Sequence, residues 1–251
     1  MSDTLLNDLN PEQQKAVMHT DGAVLILAGA GSGKTRVLTY RVAYLLAKKH
    51  IDPHAILMLT FTNKAAGEMK ERIGKLIMST QIPFAGTFHS FCVKILRRDG
   101  GEIGISPNFL IYDDQDQLDL VKTIMKKLDI STKNLPAGRH GFNPGAILHT
   151  ISQAKNELIT AIEYPQYARG YFQETVATIY LAYQKNLKEN EALDFDDLLM
   201  RTVQLFKNSK ETLGRYQEQY HYILVDEYQD TNRAQYQLIR ELSGRWHNLC
   251  V

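Results

Sequence analysis

The stretch that decides the fold is the loop Ala28-Gly29-Ala30-Gly31-Ser32-Gly33-Lys34-Thr35. It follows the short apolar run Val24-Leu25-Ile26-Leu27, which predicts a buried strand, and it precedes residues 36–46, whose apolar side chains recur near helical spacing. A strand, a glycine-rich loop and a helix in this order form the setting of a P-loop. Glycines let successive N–H groups face one phosphate, and the helix N-terminus adds partial positive charge. The loop therefore predicts binding of a nucleoside triphosphate.

Two side chains at the end of the loop carry the expected chemistry. Lys34 is predicted to reach the β- and γ-phosphates as a point charge, and the Thr35 hydroxyl to complete a Mg²⁺ shell. Ala28 stands where the common pattern has glycine. The alternative is a glycine-rich strand-to-helix turn with an incidental lysine. Three glycines, a Gly-Lys-Thr sequence and the correct flanks favour the nucleotide site.

A second acidic site is predicted far along the chain. The apolar run 222–225 predicts a strand that leads into Asp226 and Glu227. Asp226 is expected to hold the metal, directly or through water, and Glu227 to orient and deprotonate the attacking water. The alternative is an acidic strand end in which Asp230 and Thr231 cap the next helix. The upstream P-loop favours the catalytic interpretation, and a second carboxylate favours hydrolysis over transfer to a substrate hydroxyl.

The order of elements predicts an α/β fold with a parallel sheet. Residues 55–61 and 85–90 predict strands, each followed by a helix, at 62–73 and at about 90–98. A short strand is expected at 109–112. Helices then dominate to about residue 190, at 116–128, 145–158 and 175–189, which predicts an inserted helical subdomain. The α/β pattern resumes with a helix opening at 194–199, the strand at 222–225 and a helix at about 232–243.

Composition places the chain among globular proteins. Of its 251 residues 44% are hydrophobic and 23% charged, and no apolar run approaches the ~20 residues of a membrane span. The acidic N-terminus lacks a signal-peptide pattern. Cys92 and Cys250 lack metal-ligand spacing and do not make a disulfide scaffold, so a reducing cytoplasm is expected. With a net charge of +1, a DNA-binding surface would be a local patch.

A series of motifs along the chain resembles those of superfamily 1 UvrD/Rep/PcrA-type DNA helicases, and most of all the Gram-positive members of that family. In order they are Leu9-Asn10-x-x-Gln13, the 28–35 loop with Arg36, Thr60-Phe61-Thr62-Asn63-Lys64-Ala65-Ala66, Gly86-Thr87-Phe88-His89, Asp194-Phe195-Asp196-Asp197-Leu198 and Asp226-Glu227-Tyr228-Gln229-Asp230-Thr231-Asn232. The resemblance spans essentially the whole chain, and alanine is usual in that family at the first loop position. It implies a P-loop NTPase (RecA-like) three-layer parallel sheet. Motor lobe 1A would comprise residues 1–108 and 191–251, and helical subdomain 1B residues 109–190.

The resemblance also implies roles at the nucleotide site, with ATP and Mg²⁺ as cofactors. Asn10, Pro11 and Gln13 already read as a helix start with a capping box. The family pattern adds that Gln13 reads adenine, and one side chain can do both. Arg36 is similar to a residue that packs near the base or ribose. Gln229 resembles a residue near the γ-phosphate that couples hydrolysis to movement.

Two segments and one further residue resemble the family's contacts to single-stranded DNA. Phe61 offers a stacking face, and Thr62, Asn63 and Lys64 offer phosphate partners at a helix start. The second segment comprises Thr87, Phe88 and His89, and the further residue, Phe195, is implied to line a base pocket. Structural alternatives stand beside these roles: Phe61 as a core aromatic, His89 as a buried structural histidine and Phe195 as a core residue at a helix start.

Taken together, the resemblance implies the N-terminal part of an ATP-driven 3′-to-5′ single-stranded DNA translocase and helicase, acting at duplex junctions in DNA repair or replication. A second motor lobe, whose arginines complete the ATP site, is expected to be missing from this chain. Because such arginines are worth about 10³–10⁵ in turnover, weak nucleotide binding, poor hydrolysis and no unwinding are expected. The alternatives are a P-loop kinase, which leaves Asp226-Glu227 and residues 60–66 without a role, and a nucleotide-gated protein-interaction module with the helical insert as its docking surface.

Overall fold

The computed structural model describes residues 5–29, 31–78, 81–132 and 141–251. Its helices are α1 Pro11–Met18, α2 Lys34–Ala47, α3 Asn63–Ile77, α4 Phe88–Asp99, α5 Asp114–Lys127, α6 Pro144–Asn156, α7 Gly170–Glu189, α8 Phe195–Asn208, α9 Lys210–Gln219 and α10 Arg233–Ser243. Its strands are β1 Ile56–Thr60, β2 Phe84–Thr87, β3 Leu110–Tyr112, β4 Ala192–Asp194, β5 Tyr222–Val225 and β6 Leu249–Cys250. The expected α/β fold with a parallel sheet is confirmed.

The chain divides into two compact units. The first comprises Met1–Phe91, Ser209–Thr231 and Gln235–Val251, and the second Cys92–Asn208 with Asn232–Ala234. Residues 92–108 and 191–208 thus fall in the second unit, whereas the family pattern assigns these ranges to lobe 1A. The division into lobe 1A and subdomain 1B at these boundaries stays a prediction.

A four-stranded parallel sheet in the order β2-β1-β5-β6 organises the first unit. All five residues of β1 are buried, as an apolar run in the middle of a parallel sheet should be. Thr60 lies opposite Thr87 on β2, and Leu59 lies opposite Val225 on β5. The carboxyl ends of these three strands therefore share one edge of the sheet. This edge carries the candidate site.

Helices α2 and α3 cover the sheet through apolar stripes. The core includes Leu38, Val42 and Leu45 of α2 with Met69 and Ile73 of α3. Helix α1 packs on α2 through Val17, which is fully buried. Arg41 of α2 is buried as well, and its guanidinium donates hydrogen bonds to the carbonyls of Ala16 and Thr20 at 2.7 and 3.2 Å. These contacts fix α1 against the helix that follows the glycine-rich loop.

The predicted buried strand at residues 24–27 is wrong. Val24 forms an isolated parallel bridge with Cys250, and the Ile26 N–H donates to the Val251 carbonyl at 2.7 Å. Leu25 and Leu27 are 65% and 86% exposed, whereas Val24 and Ile26 pack against the core. The segment is thus extended but buried on one side only, so its apolar run does not have the two covered faces that such a run usually indicates.

The second unit is mainly helical. Helices α5, α6 and α7 enclose a core that includes Val121, Ile151, Val176, Ile179 and Tyr180. The short strand expected at 109–112 is present as β3, and it pairs in parallel with β4. Strand β4 ends at Asp194, so the helix expected to open at that residue begins at Phe195 instead. No helix in the described part of the chain is long and apolar enough to cross a membrane.

Candidate nucleotide site and strand-contact segments

The glycine-rich loop takes a backbone path that suits glycine. Gly31 and Gly33 have φ angles of 74° and 88°, in the left-handed region that other residues enter only at a cost. Gly33 precedes the first residue of α2, and no side chain caps that helix end. Its first N–H groups are therefore suited to an external anion such as a phosphate. Ala30, a further residue of the predicted nucleotide-binding loop, lies outside the described residues.

The side chains of the loop fold back over its own carbonyls. Lys34 Nζ donates to the Ala28 carbonyl at 3.1 Å, and it lies 3.5 Å from the Gly29 carbonyl. Ser32 Oγ donates to the Gly29 carbonyl at 2.6 Å. The ammonium group is thus held above the loop by neutral acceptors, which a phosphate can replace with a stronger, charged partner.

Thr35 and Asp226, 191 residues apart in the chain, lie in direct contact. Thr35 Oγ1 lies 3.1 Å from Asp226 Oδ2 and 3.4 Å from Oδ1. Asp226 follows β5, and its N–H donates to the Leu59 carbonyl of β1 at 3.0 Å. Burial raises the pKa of Asp226, the Thr35 hydroxyl opposes that shift, and the negative charge of Glu227 adds to it. A hydroxyl beside a carboxylate supplies the hard oxygen ligands that Mg²⁺ prefers, so the pair fits this metal.

Glu227 has a strained backbone beside this pair. Its φ of 52° is left-handed although it is not glycine, a conformation that costs energy and that clusters at functional sites. The side chain is exposed, and Gln229 Nε2 donates a hydrogen bond to Glu227 Oε2. A cavity of about 400 Å³ opens here, lined in part by Ala28, Lys34, Asp226, Glu227 and Gln229. The backbone turn thus presents both predicted catalytic side chains to the cavity that Lys34 also lines.

Gln13 connects α1 to the loop. The predicted capping box is present, since Gln13 Oε1 accepts from the Asn10 N–H at 3.1 Å and Asn10 Oδ1 accepts from the Gln13 N–H at 2.9 Å. Gln13 Nε2 also donates to the Ser32 carbonyl at 3.1 Å. Arg36 Nη2 donates to the Asp8 carbonyl at 2.9 Å, and its guanidinium carbon lies 5.4 Å from the centre of the Tyr40 ring. Both residues therefore lie beside the loop, and their roles toward a base stay predictions.

The segment after β1 begins with a partly buried ring and continues with exposed polar side chains. Phe61 is half-buried, whereas Thr62, Asn63 and Lys64 are exposed. Thr62 is the N-cap of α3, and its hydroxyl accepts from the Ala65 N–H at 3.1 Å. Asn63 and Lys64 occupy the first turn of this helix. The segment thus offers a partly exposed aromatic ring, a lysine side chain and the N-terminus of a helix.

The segment after β2 is more deeply buried. Phe88 is 1% exposed, and its ring centre lies 5.6 Å from that of Phe61. Thr87 is 8% exposed, and its hydroxyl accepts from the Ser90 N–H at 3.1 Å. His89 is half-buried, and burial lowers the pKa of its imidazole, which favours the neutral ring. Because β1 and β2 run in parallel, this segment and the one after β1 lie at the same edge of the sheet.

Phe195, the third part of the predicted DNA contact, belongs to the second unit. It is the first residue of α8, and its side chain is 43% exposed. An exposure of this size is more than a core residue at a helix start would show, and it leaves part of the ring accessible to a base.

Sequence reasoning missed Lys155, a fully buried cation close to Phe195 in the second unit. Its Nζ lies 2.6 Å from Asp194 Oδ2 and 2.9 Å from Asp197 Oδ2, and the Tyr183 hydroxyl donates to Asp194 Oδ2 at 2.9 Å. Burial alone would lower the pKa of Lys155, but the two carboxylates raise it overall. A signal was available: Lys155 continues the buried stripe Ile147, Ile151 and Ala154 of α6, where a cation needs a partner.

Comparison with known proteins shows similarity along the whole chain. The family described as "UvrD/REP helicase N-terminal domain" matches residues 9–251. The ATP-dependent DNA helicase PcrA of Bacillus subtilis (strain 168) is 52% identical over 252 residues, which cover 100% of this chain and 33% of that protein. The proteins of the same name from Staphylococcus aureus (strain Mu50) and Staphylococcus epidermidis are 50% and 49% identical over 248 residues. The chain therefore spans about a third of the length of the curated relatives it matches.

Proposed function

The chain belongs to the UvrD/REP helicase family, as its motifs predict, and on that basis we propose that it is the nucleotide-binding, N-terminal part of an ATP-dependent DNA helicase that moves 3′ to 5′ along single-stranded DNA. One observation carries the proposal. The contact between Thr35 and Asp226 joins the glycine-rich loop to the acidic end of β5. It lies at the edge of the sheet that also carries the two predicted DNA-contact segments of the first unit, residues 61–64 and 87–89. Binding of both ligands at one edge is what a motor that couples hydrolysis to movement needs.

The proposed nucleotide site uses the glycine-rich loop for binding and the acidic segment, residues 226–232, for hydrolysis. The N–H groups at the start of α2 and the Lys34 ammonium hold the phosphates of ATP. Thr35 and Asp226 hold Mg²⁺, which when bound supplies positive charge that offsets the charge of the phosphates. Glu227 accepts a proton from the attacking water, and the amide of Gln229 holds its carboxylate in place. Gln13 and Arg36, beside the loop, contact the adenine and ribose end.

The proposed DNA site uses a stacking surface and phosphate partners. Phe61, backed by the buried ring of Phe88, stacks on a base, while Asn63 and Lys64 bind phosphates at the N-terminus of α3. Separately, Phe195 of the second unit offers a partly exposed ring on which a base of single-stranded DNA can stack. Because β1 pairs with both β2 and β5, a shift at the DNA segments is passed to Asp226 through one continuous sheet. Unwinding at duplex junctions is proposed for proteins of the relatives' full length.

Binding measurements with matched lysine variants test this function. Calorimetry with Mg·ATP should show binding that is lost in Lys34→Ala and kept in Lys15→Ala, an exposed lysine of α1. Fluorescence anisotropy with a labelled oligothymidylate should show binding that weakens in Lys64→Ala and is unchanged in Lys70→Ala on the same helix. Nucleotide binding that does not depend on Lys34 would overturn the ATP site. Nucleotide binding without any affinity for the oligothymidylate would overturn the helicase function and favour a nucleotide-gated interaction module.

A further inference from the structure

Asn156 lies next to Lys155 on α6 and connects two segments that are distant in sequence. Its Nδ2 donates to Asp196 Oδ1 at 3.1 Å and lies 3.4 Å from Ser152 Oγ. Its Oδ1 accepts a hydrogen bond from Asn232 Nδ2. All four residues belong to the second unit. The side chains of Asp196, Asn156 and Asn232 therefore form a continuous hydrogen-bonded chain.

The chemistry of the partners fixes the direction of this chain. Asp196 Oδ1 accepts a hydrogen bond from the NH₂ group of Asn156, the group of the amide that donates. The Asn156 oxygen is then left to face Asn232, whose NH₂ group donates to it. A flipped amide would set oxygen against carboxylate and NH₂ against NH₂. One orientation of Asn156 thus satisfies both neighbours at once, and losing either contact weakens the reason for the other.

Each end of the chain adjoins a segment of the proposed motor. Asp196 directly follows Phe195, and the turn that carries both is held by the ion pairs of Lys155 with Asp194 and Asp197. Asn232 is the last residue of the acidic segment, which begins with Asp226 and Glu227. A second contact reinforces this end, because Arg233 Nη1 lies 3.6 Å from Glu157 Oε2. The same turn of α6 therefore holds the base of the Phe195 turn and the end of the acidic segment.

From this arrangement we propose that Asn156 is a positioning residue that links the occupancy of Phe195 by a DNA base to the placement of the acidic segment. The inference rests on the proposed function and adds a specific residue to it. A base that stacks on Phe195 moves the Phe195–Asp196 turn, Asn156 follows the Asp196 carboxylate, and Asn232 follows Asn156. Asn156 contacts neither ligand; its effect is on the coupling between them. Such coupling is reciprocal, so it can be read from either ligand's affinity.

The test compares the affinity for single-stranded DNA with and without nucleotide. The dissociation constant of a labelled oligothymidylate is measured by anisotropy, alone and with saturating Mg²⁺ and a non-hydrolysable ATP analogue. In the parent chain the two constants should differ by about fivefold or more, the lower end of typical coupling. In Asn156→Ala the ratio should fall to within about twofold of one, while the affinity for each ligand alone is kept.

Three variants separate positioning from a general structural effect. Asn232→Ala should lose the coupling as Asn156→Ala does, and the double variant should lose no more, because both changes break the same contact. Asn190→Ala removes an exposed asparagine contact to Tyr112 in the same unit and should leave the coupling unchanged. Normal coupling in Asn156→Ala, equal loss in Asn190→Ala or absence of coupling in the parent chain would overturn the inference and leave the proposed function standing. Failure of the parent chain to bind either ligand would overturn the proposed function itself, and the inference with it.

Discussion

The Thr35 hydroxyl donates a hydrogen bond to Asp226 Oδ2 at 3.1 Å, joining the second residue of α2 to the residue that follows β5. We expect Thr35→Ala to weaken Mg²⁺-dependent nucleotide binding by about 10- to 100-fold, since it removes one of the two proposed oxygen ligands of the metal, and polar contacts to charged groups are worth about 1.5–3 kcal/mol. Thr35→Ser keeps the hydroxyl and should bind nearly as the parent does. Calorimetric titration with ATP, in Mg²⁺ and in EDTA, measures the effect. If Thr35→Ala lost as much affinity for ATP in EDTA as in Mg²⁺, a role of Thr35 at the metal would be contradicted.

A substitution of Glu227 should slow ATP hydrolysis without weakening nucleotide binding. Glu227→Gln removes the proposed base but keeps the shape of the side chain, so ATP hydrolysis is expected to fall by about 10²–10⁴-fold with little change in nucleotide affinity. Steady-state phosphate release and calorimetry measure the two quantities. Asp230→Asn, a change at another exposed acid of the same segment, serves as the control. Equal losses in the two variants would show that general negative charge matters rather than the position of Glu227.

Replacing two of the glycines by alanine should change the stability of the fold in opposite directions. Gly33 has a left-handed φ of 88°, and an added Cβ would lie 3.1 Å from Gln13 Nε2, so Gly33→Ala should destabilise the fold by about 1–2 kcal/mol. Gly67 lies inside α3 with nothing within 4 Å of an added Cβ. Gly67→Ala should therefore stabilise by about 0.5–1 kcal/mol. Urea unfolding followed by circular dichroism measures both, and changes of the same sign would contradict the prediction.

The buried ion cluster predicts a large cost for removing Lys155. Lys155→Met keeps much of the volume but leaves the carboxylates of Asp194 and Asp197 buried without their cation, which should cost about 3–5 kcal/mol. Lys15→Met removes an exposed pair with Glu12 and should change the free energy of unfolding little. Denaturant unfolding compares the two variants. Only a small decrease in the free energy of unfolding of Lys155→Met would contradict the prediction of a large cost.

His89 predicts a pH dependence of stability. Burial lowers the pKa of the folded imidazole, so the unfolded chain, with a histidine pKa of about 6.5, binds the proton first as the pH falls. Stability should therefore decrease as the pH drops below about 6.5 toward the lower folded value. His89→Gln should flatten this part of the profile, whereas His19→Gln, at an exposed position, should not. Urea midpoints between about pH 7.5 and about pH 5.5 measure the slope.

The parts of the fold that were predictable from sequence rest on local signals. The run 222–225 and the acids behind it define β5 and its end, because a short apolar run with a polar stop has one simple explanation in an α/β chain. The capping box of Asn10 and Gln13 was predictable for the same reason, since both partners lie within one helical turn. The glycine-rich loop placed Lys34 and Thr35 at the start of α2.

The remaining features depend on contacts between distant residues. Whether Leu25 is covered depends on what packs over that face, so the apolar run alone led to a wrong prediction of a buried strand. Lys155 finds Asp194 across 39 residues, and composition gave no means of pairing them. Phe61 and Phe88 share an environment only because β1 and β2 pair in register. The Gln13 contact to Ser32 likewise requires α1 and the loop to be in place.

The long sequence separation between Thr35 and Asp226 has a consequence for how the protein is made. β1 can pair with β2 soon after both are synthesised, but its other neighbour, β5, follows only after residues 92–208, the main part of the second unit. Contacts between residues so far apart in sequence form late in folding, because the chain first loses the entropy of closing a long loop. On a ribosome the loop would emerge long before its acidic partner. Mg·ATP binding is therefore expected to mark completed folding of the first unit, and a labelled nucleotide would report the moment at which its sheet closes.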